Sequence, residues 1–109
     1  MSTDPLLAER AAALAQIEAL TREFDGVVAA SKASNADDEH DPEGATIAFE
    51  RQQVVALLER ARRRLADVET AVRAVEAGTY GICETCGRPI APERLAARPS
   101  ARTCITCAR

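Results

Sequence analysis

Aromatic side chains are nearly missing from this chain: no tryptophan, one tyrosine (Tyr80) and two phenylalanines (Phe24, Phe49) among 109 residues. So short a chain, so poor in large rings, cannot build a large globular core, because small domains bury too little of their surface. Packed long helices and a bound metal are the expected substitutes. Apolar runs are short as well, and none approaches the roughly 20 residues that span a bilayer, so no membrane segment is expected. The start, Met1-Ser2-Thr3-Asp4-Pro5, lacks the basic and apolar stretches of a secretory signal. The protein is therefore read as soluble and cytoplasmic. No phosphate loop, base–nucleophile pair or open metal site is visible, which excludes an enzyme from the reading.

Cysteine is absent from the first three quarters of the chain and then appears four times, as Cys83-x2-Cys86 and Cys104-x2-Cys107 with seventeen residues between the pairs. Two C-x-x-C pairs at this separation have zinc-ribbon spacing. Each pair presents two thiolates on one turn, and two such turns facing each other complete a tetrahedron. Four thiolates leave no position for water or substrate, so one Zn²⁺ is expected as a structural ion, with Cys83, Cys86, Cys104 and Cys107 as its ligands. Two disulfides would need an oxidising compartment, and a redox C-x-x-C would be expected beside a βαβ pattern. Neither condition is visible, and zinc is the preferred reading of the three.

The first 78 residues are rich in alanine, leucine, glutamate and arginine, a helical composition. Asp4 is a candidate N-cap with Pro5 at the first helical position. Leu6, Ala13, Ile17, Leu20, Phe24 and Val27 then follow steps of four and three, with Arg10 the polar exception, which is a heptad seam. Periodicity stops over Ala33–His40, read as a frayed helix end and a loop. Asp41, Pro42 and Glu43 form a second start signal. A longer seam runs through Ile47, Val54, Leu58, Ala61, Leu65, Val68, Val72 and Val75, interrupted by Arg51, and Gly78 is the natural stop. Two such helices joined by a short loop run antiparallel. The predicted fold is all-α: a coiled-coil helical hairpin over 1–78, roughly 40 Å long or more, with its tip near 35–44, followed by a four-cysteine finger over 79–109. A monomer is expected, the alternative being that helix two pairs with a helix of another chain.

Charge is unevenly spread. Residues 80–109 carry Arg88, Arg94, Arg98, Arg102 and Arg109 against Glu84 and Glu93, a net of +3, within a whole chain of −3. Zinc held by four thiolates subtracts about two charges. The finger is then only mildly positive, which argues against sequence-specific duplex binding. Asp37, Asp38, Glu39, Asp41 and Glu43 make the tip acidic. A solvated, capped loop explains them; so do carboxylates carried on a rod towards something cationic. His40 is the one histidine, and a lone exposed histidine ordinarily neither binds metal nor senses pH. Arg60, Arg62, Arg63 and Arg64 read as a solvated face with local ion pairs, or as a grip for an acidic partner.

The stretch Gly78-Thr79-Tyr80-Gly81-Ile82-Cys83-Glu84-Thr85-Cys86-Gly87-Arg88-Pro89-Ile90, followed by Arg94-Leu95-Ala96-Ala97-Arg98-Pro99 and Cys104-Ile105-Thr106-Cys107, resembles the TraR/DksA family of bacterial zinc-finger transcription factors. The resemblance covers the whole order of parts, hairpin first and finger second. It implies a regulator that binds bacterial RNA polymerase without needing to bind DNA. The hairpin would enter the secondary channel and bring its tip towards the catalytic magnesium, changing open-complex stability. Better-studied members carry Asp-x-x-Asp-x-Ala at the tip. Here His40, Glu43 and Ala45 fall on those positions, with Asp41 a neighbouring substitute for the first acid. The chain looks like a short form without the further C-terminal helix, and weaker docking is expected from that. Some members bind the alarmone ppGpp through basic residues near the finger. Arg98 matches one such position as a contact for alarmone or polymerase, whereas Asp67 and Ala108 replace others, so no ppGpp response is expected. The alternative is a structural or stress-related zinc protein whose hairpin docks on a different partner.

Overall fold

Two long heptad-patterned segments become the two long helices of the computed structural model, which describes residues 3–34 and 42–108. Helix α1 runs Asp4–Ser34, α2 Pro42–Ala77 and a short α3 Pro92–Ala97. No strand occurs among the described residues, whose one sheet-like contact is an isolated antiparallel bridge between Ile82 and Pro89. Neither long helix has a stretch apolar enough to cross a membrane among the described residues.

The helix ends follow their local chemistry. The Thr3 carbonyl accepts the Leu7 N–H at 2.9 Å. Thr3 thus stands at the cap position, and Asp4 falls in the first turn, where an acid complements the helix dipole. Pro42 opens α2, as its fixed φ favours. At the far end Gly78 adopts φ 76°; its N–H bonds the Val75 carbonyl at 3.2 Å and the Thr79 N–H bonds Ala74 at 2.8 Å. This pair of bonds is a Schellman cap, and it needs a residue that tolerates the left-handed region. The predicted cap Asp41 lies outside the described residues.

The chain divides into two compact units, residues 1–13 with 63–109 and residues 14–62. In the second unit Leu20 of α1 packs with Val54, Leu58 and Ala61 of α2, flanked by Ile17 and Phe24. In the first unit Leu6 of α1 packs with Val68 and Ala71 of α2, flanked by Val72, Val75 and Tyr80. Within each unit the two helices meet mostly through their seam positions, with Ala71 the off-seam member. Arg10 and Arg51, the polar interruptions, are exposed. Arg10 instead reaches Glu69 at 3.6 Å.

Candidate metal centre

Each knuckle of the finger is built by short-range backbone bonds. In the first, the Gly87 N–H donates to the Cys83 carbonyl at 2.9 Å and the Cys83 N–H to the Arg88 carbonyl at 2.8 Å. Gly87 closes this turn with φ 73°, a conformation a side chain would strain. The Ile90 N–H, bonded to Gly81 at 2.7 Å, completes a small hairpin around Cys83. In the second knuckle the Cys107 and Ala108 N–H groups both reach the Cys104 carbonyl, at 3.1 and 2.9 Å. Helix α3 lies between the knuckles, opened by Pro92.

All four Sγ atoms lie within 4.8 Å of one another. The Cys86 and Cys104 sulfurs are 3.8 Å apart. A tetrahedron with Zn–S bonds of about 2.3 Å has edges of about 3.8 Å, so this separation suits one zinc ion. It is far beyond the roughly 2.05 Å of a disulfide, and all four cysteines are free. The donor set and its dimensions fit one Zn²⁺.

The surroundings already favour thiolate at the first cysteine of each pair. Backbone amides, that of Cys86 foremost and then Cys104, pull the Cys83 thiol down to about 6, against a smaller opposing effect of burial. The Cys107 amide lowers Cys104 in the same way. Cys107 is pushed up to about 12, first by its hydrogen bond with Cys104 and then by burial. A divalent cation among the sulfurs supplies the charge that lets all four ionise. With every site on the metal taken by sulfur, the centre can stabilise structure but has no position for a reacting molecule.

The finger is held together, and joined to the helices, by polar contacts that the sequence pattern did not reveal. The Tyr80 hydroxyl donates to the Pro99 carbonyl at 2.7 Å. Ser100 donates to Glu9 of α1 at 3.3 Å, and Glu9 also pairs with Arg64 of α2 at 3.5 Å. Arg102 bonds Glu84 at 2.9 Å and Asp67 at 3.1 Å. No local periodicity encodes such contacts, since they join residues up to 91 positions apart.

Arg98 is exposed and lines a polar hollow of about 220 Å³ that also contains Asp67, Arg94, Arg102 and Ala108. The structure thus gathers the three positions singled out for alarmone contact, Asp67, Arg98 and Ala108, around one hollow. Its Asp67 carboxylate is engaged by Arg102. At the other candidate site Ala45 is exposed on α2, Glu43 falls within α2, and His40 and Asp41 lie outside the described residues.

Comparison with known proteins agrees with this geometry. Residues 78–109 match the prokaryotic dksA/traR C4-type zinc finger, which makes this segment a zinc finger of that type. The solved structure of transcription factor DksA2 from Pseudomonas aeruginosa superposes with a TM-score of 0.74 at 33% identity, over 95% of this chain and 74% of that one. YteA of Bacillus subtilis is 45% identical over 69 residues, 63% of this chain and 29% of that protein. The RNA polymerase-binding transcription factor DksA of Escherichia coli is 41% identical over 49 residues, 45% of this chain and 32% of that protein. The match therefore spans less than a third of the length of these curated relatives.

Proposed function

From the premise that this chain belongs to the TraR/DksA family, we propose that it is a non-enzymatic transcription regulator that binds bacterial RNA polymerase. The observation that carries the reading is the DksA2 superposition, because it spans 95% of the chain and so covers helices as well as finger. The working parts are the helical hairpin over 1–78, with its tip near 35–44, and the finger over 79–109. The hairpin enters the secondary channel and the tip points at the active site. There Asp41, Glu43 and Ala45 act on the open complex, and the zinc held by the four cysteines keeps the finger folded. Arg98 contacts polymerase. Asp67 and Ala108 stand where further basic residues of an alarmone site would be expected, and Asp67 already occupies Arg102, so ppGpp does not alter the response. The protein works in the cytoplasm as a monomer.

Two measurements on the same variants test the reading: affinity for polymerase and open-complex lifetime. Asparagine caps a helix about as well as aspartate, so Asp41→Asn separates capping from charge. If the tip acts through its charge, Asp41→Asn and Glu43→Gln abolish the effect on lifetime while affinity stays within about twofold, since exposed charge changes alter binding modestly. Wild-type protein that does not bind polymerase would sink the proposal. Binding without any effect on lifetime would point to a docking role.

A further inference from the structure

Two arginines fix the second knuckle without touching a sulfur. Arg94 Nε of α3 donates to the carbonyl of Thr103 at 2.8 Å, immediately before Cys104. Arg102 is joined to the first knuckle twice. Its carbonyl accepts the Glu84 N–H at 3.0 Å, and its Nε donates to Glu84 Oε2 at 2.9 Å. Glu84 lies between the ligands Cys83 and Cys86. The Nη1 of the same guanidinium donates to Asp67 Oδ1 of α2 at 3.1 Å. One planar fork thus serves two carboxylates, one from the finger and one from a long helix, a geometry lysine cannot reproduce.

Charge gives this fork a further role. A zinc ion with four thiolates carries about two negative charges. Glu84 and Asp67 add two more carboxylates nearby, and Arg102 is the cation placed between them. The bonds are half-exposed, so their strength depends on how firmly their backbone is held. On the finger side that backbone is the first knuckle, which carries Glu84, and the approach to the second, which carries Arg102; the metal is what fixes the knuckles to each other.

We propose that Arg102 is a positioning residue that couples the cysteine cluster to α2: it helps the finger retain zinc, and it reports loss of zinc to the helix through Asp67. With the knuckles fixed, Arg102 holds Asp67. When the metal leaves, the second knuckle is released and the tether on α2 goes with it. The coupling is reciprocal, so releasing Asp67 loosens the metal. It requires the finger to bind zinc and is independent of any polymerase partner.

The test uses the full zinc-loaded chain and a colorimetric chelator, 4-(2-pyridylazo)resorcinol, to time zinc release. Outer partners of metal ligands typically change affinity 10–100-fold; for this half-exposed link the expected acceleration in Arg102→Gln is about three- to tenfold. Asp67→Ala speeds release by a similar factor, although Asp67 lies sixteen positions before the first ligand. The double variant is no faster than Arg102→Gln, since both changes break one link. Arg102→Lys recovers less than half of the lost retention. Hydrogen exchange supplies the second readout. Stripping zinc from wild type speeds exchange of α2 amides around Asp67, and in Asp67→Ala the response to zinc is smaller, the remainder coming from the loss of Tyr80 from Val68. Release from Asp67→Ala at the wild-type rate, or additive effects in the double variant, would overturn the proposal. If Arg102→Gln fails to fold, Asp67→Ala decides alone, since it changes one half-exposed carboxylate to a residue that favours helix.

Discussion

Tyr80 is the residue at which the first core and the finger meet. Its ring packs on the cluster of Leu6, Val68 and Ala71, and its hydroxyl donates to Pro99 in the finger. Burial raises its pKa above the ordinary 10, and the Glu9 carboxylate raises it further. The phenol therefore stays protonated in the folded chain at a pH where the unfolded chain loses its proton. Stability from this group is complete below about pH 10 and declines as the pH rises through the folded value. The chain has one tyrosine and no tryptophan, so absorbance near 295 nm follows this phenol alone. A titration should show one midpoint above 10, falling to the ordinary value in denaturant and moving part of the way down in Glu9→Gln. A midpoint at the ordinary value in the native protein would mean that Tyr80 is not held against the core. Tyr80→Phe keeps the ring but leaves the Pro99 carbonyl unpaired, at a cost of about 1 kcal/mol readable as a shift in the denaturation midpoint.

Among the elements, the two long helices were legible because their apolar residues recur at heptad spacing. Leu6, Ala13, Leu20, Val54, Leu58, Ala61 and Val68 are all seam positions and all buried. The pattern was less exact towards the end of α2. There Ala71 is buried while Val72 and Val75, the seam residues, are partly exposed. A straight helix drifts about 20° per heptad from a 3.5-residue repeat, and the contact stripe crosses from one column to its neighbour. Leu65 shows the same drift, being half-buried although it sits on the seam. The zinc ligands were legible from spacing alone, which fixes two local turns. The arginines around them were not, because Arg94 and Arg102 find carbonyl and carboxylate partners through the fold of an aperiodic segment. The drift makes a stability prediction. Leu6→Ala, at 1% exposure, should cost roughly 2–5 kcal/mol. Leu65→Ala should cost less than about 2 kcal/mol, in proportion to the smaller apolar area it removes. Urea unfolding with unchanged slope measures both, and equal costs would place Leu65 in the core after all.

For the whole molecule, the question is what the metal contributes to a chain made mostly of two helices. In the unit containing the finger, Cys83 and Ile90 are buried hydrophobic residues supplied by the first knuckle. Their burial depends on backbone bonds within turns too short to persist alone. Ligand thiolates without a metal repel one another, and thiols without a metal do not hold two turns together, so metal binding and folding of such a finger are one event. The other unit, residues 14–62, draws its core from Leu20, Val54, Leu58 and Ala61 and contains no cysteine. Chelation should therefore act unequally. Amide exchange over 80–108 should rise towards the unprotected rate, while protection around Leu58 changes by less than about tenfold, since stability is spread unevenly over cooperative units. Far-UV helicity should fall only slightly at low temperature, because α1 and α2 supply most of it. The melting temperature should nonetheless drop, since Tyr80 and its neighbours no longer cover Leu6 and Val68. Cys83→Ser should reproduce the chelated state with zinc present, as three thiolates and a hydroxyl make a poorer site. Native mass spectrometry of that variant should find most of the protein without metal. A chelated chain with an unchanged melting temperature and protected amides over 80–108 would show that the finger folds on packing alone, with the zinc only occupying it.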